Sequence, residues 1–242
     1  MEKINNDSNI DYSFLIVYAI CEKYKLAIPK YLSAEMAYLG DNEYKRIIME
    51  VILKIFGEIN AYPVKLLAYS KKTGSKGELV TSPHDFLLDN GKTLSIKTSI
   101  SNGEYYKAAP RVVGQAGYNV LNKYFETLYG KKIETQDDIK RLFISKIDDI
   151  LPIFIEKMFD SDYTLFIQRE NEKNCLIVNK DNIELPIFEK ADFTFTRNME
   201  DWSESTSLKY KNITIAEIQT RKSRTFKFRF IINNLLKYIY KY

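Results

Sequence analysis

The sequence predicts a protein that mixes helices and strands, of the α/β or α+β class, with a central mixed β-sheet flanked by helices. Apolar residues recur at helical spacing in the first quarter of the chain, whereas short runs with strand-like alternation dominate the last third. No repeat, low-complexity tract or Gly- or Pro-rich linker separates these regions. Because 242 residues suffice for one large domain, we expect residues 1–242 to form a single domain.

The predicted helices follow from spacing and from residues that start or stop a helix. Residues 12–27 and 33–56 carry apolar positions three and four apart, and Ser33 and Gly57 are the expected N-cap and stop of the second helix. Further helices are predicted over 114–129, over the acidic stretch 135–159, and after residue 231.

The predicted strands alternate with these helices. A hairpin is expected between residues 84 and 99, because two apolar runs flank an Asp-Asn-Gly turn. The other segments expected to be extended are 64–70, 79–81, 163–168, 174–178, 213–219 and 225–231.

Composition excludes several classes of protein. The longest apolar run, Phe14 to Ile20, has seven residues, whereas a bilayer-spanning helix needs about 20. Asp7 and Asp11 stand where a signal peptide would carry basic residues, and no small-residue cleavage site follows the run. We therefore expect neither a transmembrane protein nor a secreted one, but a cytoplasmic protein.

The cysteine and histidine content is low. Cys21 and Cys175 are too few for a disulfide scaffold or a thiolate zinc cluster, and we expect both to pack among apolar residues. The single histidine, His84, argues against a histidine-based triad, and at a strand start it is more typical of a structural residue than of a catalytic one.

Charge is distributed unevenly. The formal net charge is +4, but residues 1–133 carry +4, residues 134–203 carry −7 and residues 204–242 carry +7. A basic C-terminal segment suits contact with phosphates, although a solvated charged face explains the same count equally well.

The predicted hairpin carries a carboxylate, a hydroxyl and an ammonium group on one face. A three-residue loop of Asp89–Gly91, with its glycine in the left-handed conformation, sets a register in which one face carries Asp85, Ser95 and Lys97. The opposite face is then entirely apolar, with Phe86, Leu88, Leu94 and Ile96.

This combination suits metal-dependent hydrolysis of a phosphodiester. Asp85 can hold Mg²⁺ through oxygen, and the carbonyl of Ile96 can supply a second ligand. Lys97 can orient or deprotonate the attacking water and stabilise charge on the phosphate. Glu43 or Glu50, on the preceding helix, would add a carboxylate. The alternative is an ordinary amphipathic hairpin with a surface lysine.

The segment resembles the motif of PD-(D/E)XK nucleases, in the variants found in type II restriction endonucleases. Pro83 and Asp85 correspond to the PD half, with one extra residue between them, and Ser95–Lys97 corresponds to the (D/E)XK half. The helix over 35–56 is similar to the helix that precedes this core and lends a glutamate, here Glu43. The resemblance implies a restriction-endonuclease-like core over residues 35–118.

Ser95 departs from the family pattern, which usually has an acidic residue there. Some restriction enzymes with serine at this position recruit the missing carboxylate from elsewhere. In this chain Glu43, Glu50 or Glu104 could serve, and Ser95 itself is counted among the site residues.

The segment 98–118 is similar to the stretch that follows the core in some restriction enzymes. Short polar or basic groups there suit sugar and phosphate contacts. The DNA-contacting candidates are Ser99, Asn102, Lys107 and Gln115.

A second resemblance covers 213–230, where a strand ending in a basic loop precedes a strand of alternating basic and aromatic residues. Arginine reads guanine edges and glutamine reads adenine edges in the major groove. The candidates for DNA contact are Gln219, Arg221, Lys222 and Arg224.

Together these features favour a Mg²⁺-dependent type II restriction endonuclease that cuts double-stranded DNA at a specific sequence and acts as a homodimer. The acidic region 134–203 carries no recognisable motif, and the basic region 204–242 is expected to supply the DNA-contacting strand pair and a helix. Two alternatives remain open: a structure-specific or repair nuclease of the same superfamily, and a non-catalytic DNA-binding protein.

Overall fold

The computed structural model divides the chain into two compact units. The first comprises residues 1–100 and 161–179, and the second comprises 101–160 and 180–242. The structure describes residues 12–28, 43–67, 84–99, 106–111, 114–130, 132–168, 175–221 and 225–241.

Helices and strands are mixed along the chain. The helices are α1 (Tyr12–Lys23), α2 (Glu43–Ile59), α3 (Tyr118–Tyr129), α4 (Gln136–Met158) and α5 (Ile232–Ile239). The first seven strands are β1 (Pro63–Leu66), β2 (Phe86–Leu88), β3 (Thr93–Ser99), β4 (Lys107–Ala108), β5 (Gln115–Gly117), β6 (Tyr163–Gln168) and β7 (Cys175–Asn179). The last four are β8 (Phe193–Phe195), β9 (Ser205–Tyr210), β10 (Ile213–Arg221) and β11 (Thr225–Ile231).

The first unit is built on a mixed five-stranded sheet in the order β1-β2-β3-β6-β7. β3 and β6 are parallel, and the other neighbouring strands are antiparallel. The buried stripes of α1 and α2 pack with one face of this sheet in a single apolar core, which includes Ile20, Ile52, Phe86 and Leu165. Burial of that face forces the alternate residues of β3 to the other side of the sheet.

The hairpin has the predicted register. Phe86 pairs with Leu94, and the amide of Leu88 donates to the carbonyl of Lys92 at 2.8 Å. Gly91 closes the turn with φ of 79°. The four apolar residues of the predicted face all lie in the core of the first unit, so hydrophobic alternation and turn chemistry specify the same pairing.

The end of α2 differs from the prediction. Gly57 lies inside the helix, which continues to Ile59. Asn60 follows with φ of 47°, and the amide of Ala61 bonds back to the carbonyl of Phe56. Asparagine tolerates the left-handed conformation and ends the helix here, while the apolar stripe keeps Gly57 helical. The predicted N-cap Ser33 and the predicted strand 79–81 lie outside the described residues.

The second unit is built on a separate six-stranded antiparallel sheet, in the order β4-β11-β10-β9-β8, with β5 also paired to β11. The mixed α/β class is therefore confirmed, but the strands form two sheets rather than one central sheet. The predicted strand pair at the C-terminus joins β9 on one side and β4 and β5 on the other, and none of these three strands was predicted.

The core of the second unit is aromatic. Phe143 and Phe154 of α4 contact Phe226 and Phe228 of β11, at ring-centroid distances of 4.9 to 5.9 Å. Thr135 caps α4 through a capping box with Asp138, which satisfies amides of the first turn. The acidic stretch is predicted to form more than one helix. In the structure α4 is divided at a kink, where Lys146 has non-helical φ and ψ.

No helix among the described residues is long and apolar enough to cross a membrane. Cys21 is buried and Cys175 partly buried, both in or against the core of the first unit as predicted, and burial raises the pKa of each thiol to about 12.

Gly91, in the left-handed conformation, and Gly57, in a helix, give a paired test of stability. Gly91→Ala should lower the free energy of unfolding by about 1 kcal/mol, because its φ of 79° strains a residue with a Cβ. Gly57→Ala, in a helix with nothing within 4 Å of the added Cβ, should raise it by about 0.5–1 kcal/mol. Urea unfolding followed by circular dichroism measures both changes. A change of the same sign in the free energy of unfolding of both variants would contradict the conformations described for Gly91 and Gly57.

Candidate functional site

Asp85 is fixed at the start of the hairpin by hydrogen bonds of its main chain and of its side chain. Its amide donates to the carbonyl of Leu94 at 2.9 Å, and its carbonyl accepts from the amide of Leu67 at 2.8 Å. Its side-chain Oδ2 accepts from the amide of Ile96 at 2.6 Å and from the hydroxyl of Ser95 at 3.3 Å. The carboxylate is therefore held across the hairpin at the middle of β3.

Ser95 and Lys97 lie on the same side of the sheet as this carboxylate. Ser95 is 3 % exposed and bonded to Asp85, and Lys97 follows two residues later on the same face of β3. Lys97 is half-buried, and within the described part of the chain it makes no ion pair. The structure thus brings together the carboxylate, hydroxyl and ammonium that the sequence predicted on one face.

The parallel strand β6 adds a polar neighbour that the sequence reasoning missed. Thr164 lies beside Ser95 in the ladder and is 1 % exposed, and its Oγ1 has no hydrogen-bond partner among the described residues. Four positions further along, Gln168 lies beside Ser99, and both are buried. Thr164 and Gln168 lie on one face of β6 with Phe166 between them, and only the pairing of β6 with β3 shows that this face is the one that carries Ser95.

Two further contacts anchor the ends of the hairpin. Asp162 accepts from the amide of Thr93 at 2.7 Å and from its hydroxyl at 2.6 Å. Burial alone would raise the pKa of Asp162, but the bonds from Thr93 and the charge of Lys92 outweigh it, so this pKa lies below its ordinary value. His84 Nδ1 lies 2.9 Å from the hydroxyl of Ser161, which is consistent with a structural role.

The additional carboxylates are not brought to Asp85 by any described contact. Glu50 is exposed on α2, off the stripe that carries Ile48 and Ile52 into the core. Glu43 is the first residue of α2, but its side chain lies outside the described residues, as does Glu104. Within the described ranges no group of three or more His, Cys, Asp or Glu side chains could hold a metal ion.

The donor set present is still suited to one kind of metal. Carboxylate and carbonyl oxygens, from Asp85 and Ile96, are ligands that Mg²⁺ prefers, and Mg²⁺ is commonly bound through one or two carboxylates with water completing the shell. His84 adjoins Asp85 in the chain, but its Nδ1 contacts the hydroxyl of Ser161 at 2.9 Å, and the oxygen donors of Asp85 and Ile96 fit a hard cation better than zinc.

The predicted DNA-contacting residues fall into three groups. Ser99 is 1 % exposed, so its hydroxyl is not presented to a ligand in this conformation, and Lys107 Nζ is bonded to Glu217 at 2.8 Å. Gln115 lies in β5 rather than at the helix start, and Gln219 is half-buried in β10. The side chain of Arg221 and all of Asn102, Lys222 and Arg224 lie outside the described residues.

Asp162 gives a stability test with a defined pH dependence. Asp162→Asn should lower the free energy of unfolding by about 1–2 kcal/mol at pH 7, because charge-assisted bonds from Thr93 are weakened. A lowered carboxyl pKa stabilises the fold above the ordinary value of about 4 and loses that effect as pH falls through the folded-state value. Urea unfolding at pH 7 and pH 3 should therefore show the two proteins converging in acid, whereas a constant difference would contradict the role of the charge.

Comparison with known proteins gives one informative similarity. The chain is 31% identical over 157 residues to the type II restriction enzyme CviAII of Paramecium bursaria Chlorella virus 1. The alignment covers 63% of this chain and 43% of that protein, so the chain spans less than half the length of this curated relative. No family model matches the sequence, and no solved structure matches it. The chain is thus similar, over most of its own length, to part of a restriction enzyme.

Proposed function

We propose that the protein is a type II restriction endonuclease with a PD-(D/E)XK-like core, which hydrolyses phosphodiester bonds of double-stranded DNA at a specific sequence in the presence of Mg²⁺. The observation that carries the proposal is the carboxylate of Asp85, held by the amide of Ile96 on the face of β3 that also carries Lys97. Similarity to a protein named as a type II restriction enzyme supports it.

Asp85 is proposed to bind the metal ion, together with the main-chain carbonyl of Ile96. When bound, Mg²⁺ supplies Lewis-acid stabilisation of the charge that develops on the phosphodiester. The bonds that Asp85 accepts from Ile96 and Ser95 hold its carboxylate in one orientation, so its position is set before substrate arrives.

Lys97 is proposed to position the attacking water and to stabilise negative charge on the phosphate. Its ammonium is suited to this role because it is half-buried beside the Asp85 face and is not engaged in an ion pair among the described residues. Ser95 replaces the acidic residue of the family motif, so its contribution is proposed to be the hydroxyl bonded to Asp85 rather than a charged metal ligand.

Glu43 is proposed as the supplementary metal ligand, with Glu50 second. Glu43 begins α2, and the buried residues of that helix pack in the core of the same unit that carries Asp85. Glu50 is exposed in the middle of that helix, away from its buried stripe, which makes it the weaker candidate.

Contact with DNA is proposed for the basic C-terminal strand pair and the segment before α3. Gln219 and Arg221 lie at the end of β10, Lys222 and Arg224 stand between β10 and β11 in the sequence, and Gln115 pairs with Lys227 on the other edge of β11. Asn102 and Lys107 complete the proposed set. A homodimer is proposed because a twofold-symmetric protein reads a twofold-symmetric site and can cut both strands.

Incubation of the purified protein with unmethylated phage DNA, with Mg²⁺ and with EDTA, tests this function directly. Discrete Mg²⁺-dependent fragments support a site-specific endonuclease. A smear would support a structure-specific or repair nuclease instead. Salt-dependent binding that no divalent metal converts into cleavage would support a non-catalytic DNA-binding protein, the alternative that Ser95 leaves open.

Substitution at the site should separate cleavage from folding. Asp85→Asn and Lys97→Ala should each reduce the cleavage rate by about 100-fold or more, because a metal ligand and a water-positioning cation are lost. Asp85→Asn keeps an oxygen that can accept from Ile96, so the fold should persist. Gel assays give the rates and thermal unfolding gives the stability.

Lys65→Ala is the matched control for Lys97→Ala, because Lys65 is an exposed lysine on β1 of the same sheet. It should leave the cleavage rate unchanged. Cleavage by Lys97→Ala or Asp85→Asn at the rate of this control would overturn the assignment of the site.

A further inference from the structure

One face of the second sheet carries polar residues on β9, β10 and β11, and β5 pairs beside β11. The strand registers place Ser205 of β9, Gln219 of β10, Lys227 of β11 and Gln115 of β5 in one row. On β10 and β11 the residues between these positions are buried against aromatic side chains of α4 on the opposite face. The row therefore lies on the face turned away from the core of this unit.

The carboxylate on this face is already neutralised. Glu217 Oε1 lies 2.8 Å from Lys107 Nζ, and its Oε2 lies 3.3 Å from a terminal nitrogen of Arg229. One negative charge is thus shared by two positive charges. Lys227 on β11 and Arg197, two residues after β8, add positive charges that no ion pair among the described residues offsets, so these five charged groups sum to a net positive charge.

A depression opens on this face where β8, β9 and β10 meet. Its lining is almost entirely polar and includes Thr196, Arg197, Ser205, Ser207, Glu217 and Gln219.

The backbone beside Arg197 is fixed. The hydroxyl of Thr206 accepts from the amide of Arg197 at 3.1 Å, and the hydroxyl of Thr196 accepts from the amide of Ser207 at 3.0 Å. In the described part of the chain, the side chains of Arg197, Gln219 and Lys227 make no hydrogen bond or ion pair. The backbone at the edge of the depression is therefore held in place, and the side chains of Arg197, Gln219 and Lys227 remain available to a ligand.

We propose that this face, from β5 to β8, binds one strand of duplex DNA, with Arg197 and Lys227 contacting phosphates and Gln219 contacting a base or sugar between them. The inference rests on the proposed function and adds a surface and a division of roles to it. Positive charge with short hydroxyl donors recognises phosphate oxygens, whereas an amide that donates and accepts suits a base edge.

The dimensions of the face agree with a short stretch of DNA. The row of Gln115, Lys227, Gln219 and Ser205 crosses four neighbouring strands, which at about 4.8 Å span about 14 Å from β5 to β9, and β8 lies one strand beyond. Base pairs rise by about 3.4 Å along each strand of DNA, so this width corresponds to about four base pairs. That length is suited to part of a restriction site rather than to a single bound nucleotide.

The test measures binding of a fluorescent duplex by anisotropy in EDTA, so that no cleavage occurs, over a range of salt concentrations. Arg197→Ala and Lys227→Ala should each weaken binding about 3- to 10-fold and should reduce the slope of log K against log salt by about 0.9. The loss should be equal for a duplex with the mapped cleavage site and for one without it. Gln219→Ala should weaken binding of the first duplex only.

Lys237→Ala is the matched control, because Lys237 is exposed on α5, whose Tyr238 packs on Tyr210 of the buried face. It should leave affinity and salt slope unchanged. Arg197→Ala and Lys227→Ala variants that behave like this control, in a protein that otherwise binds and cuts DNA, would overturn the inference and leave the proposed function standing. A wild-type protein that binds no duplex would overturn both.

Glu217→Gln provides a test in the opposite direction. Removal of the carboxylate leaves Lys107 and Arg229 without their shared counter-charge. Binding of both duplexes should become tighter by about 3- to 10-fold, with a steeper salt dependence. Weaker binding by a folded Glu217→Gln protein would contradict the electrostatic account of this face.

Discussion

The hydrogen bond from the amide of Ile96 to the carboxylate of Asp85 is the constraint on which the candidate site depends. It can form only when the hairpin has the three-residue turn that sets Phe86 opposite Leu94. A shift of one residue would send Lys97 into the apolar core and bring Ile96 to the polar side. Core packing in the first unit therefore selects the geometry of the site, and the hydrogen bond completes it.

The sheets of the two units share one arrangement. One face of each sheet packs in the core, against α1 and α2 in the first unit and against α4 in the second. The alternate residues face away from that core and can therefore be polar. In the first unit those residues are few and largely buried, which suits chemistry in a confined site. In the second they are numerous and half-exposed, which suits a broad contact with a polyanion.

Sequence reasoning succeeded where a local pattern and a local turn agree, as in the hairpin and in the strands 163–168 and 225–231. It failed where partners are distant in the chain. β9 was missed because its apolar alternation is weak, and it is a strand because it pairs with β10. Thr164 is a neighbour of Ser95 only because β3 and β6 pair in parallel. The stop at Gly57 was wrong because helix packing outweighed the preference of one glycine.

The parallel pairing of β3 with β6 has a consequence for synthesis. The first sheet needs residues up to 179, but the chain must first pass through residues 101–160, which belong to the second unit. Contacts over such separations close late in folding and slow it. On the ribosome, the nascent chain carries Asp85 and Lys97 long before β6 emerges. The sheet on which the site lies is therefore completed only after residue 179 has been made, about 80 residues after Lys97.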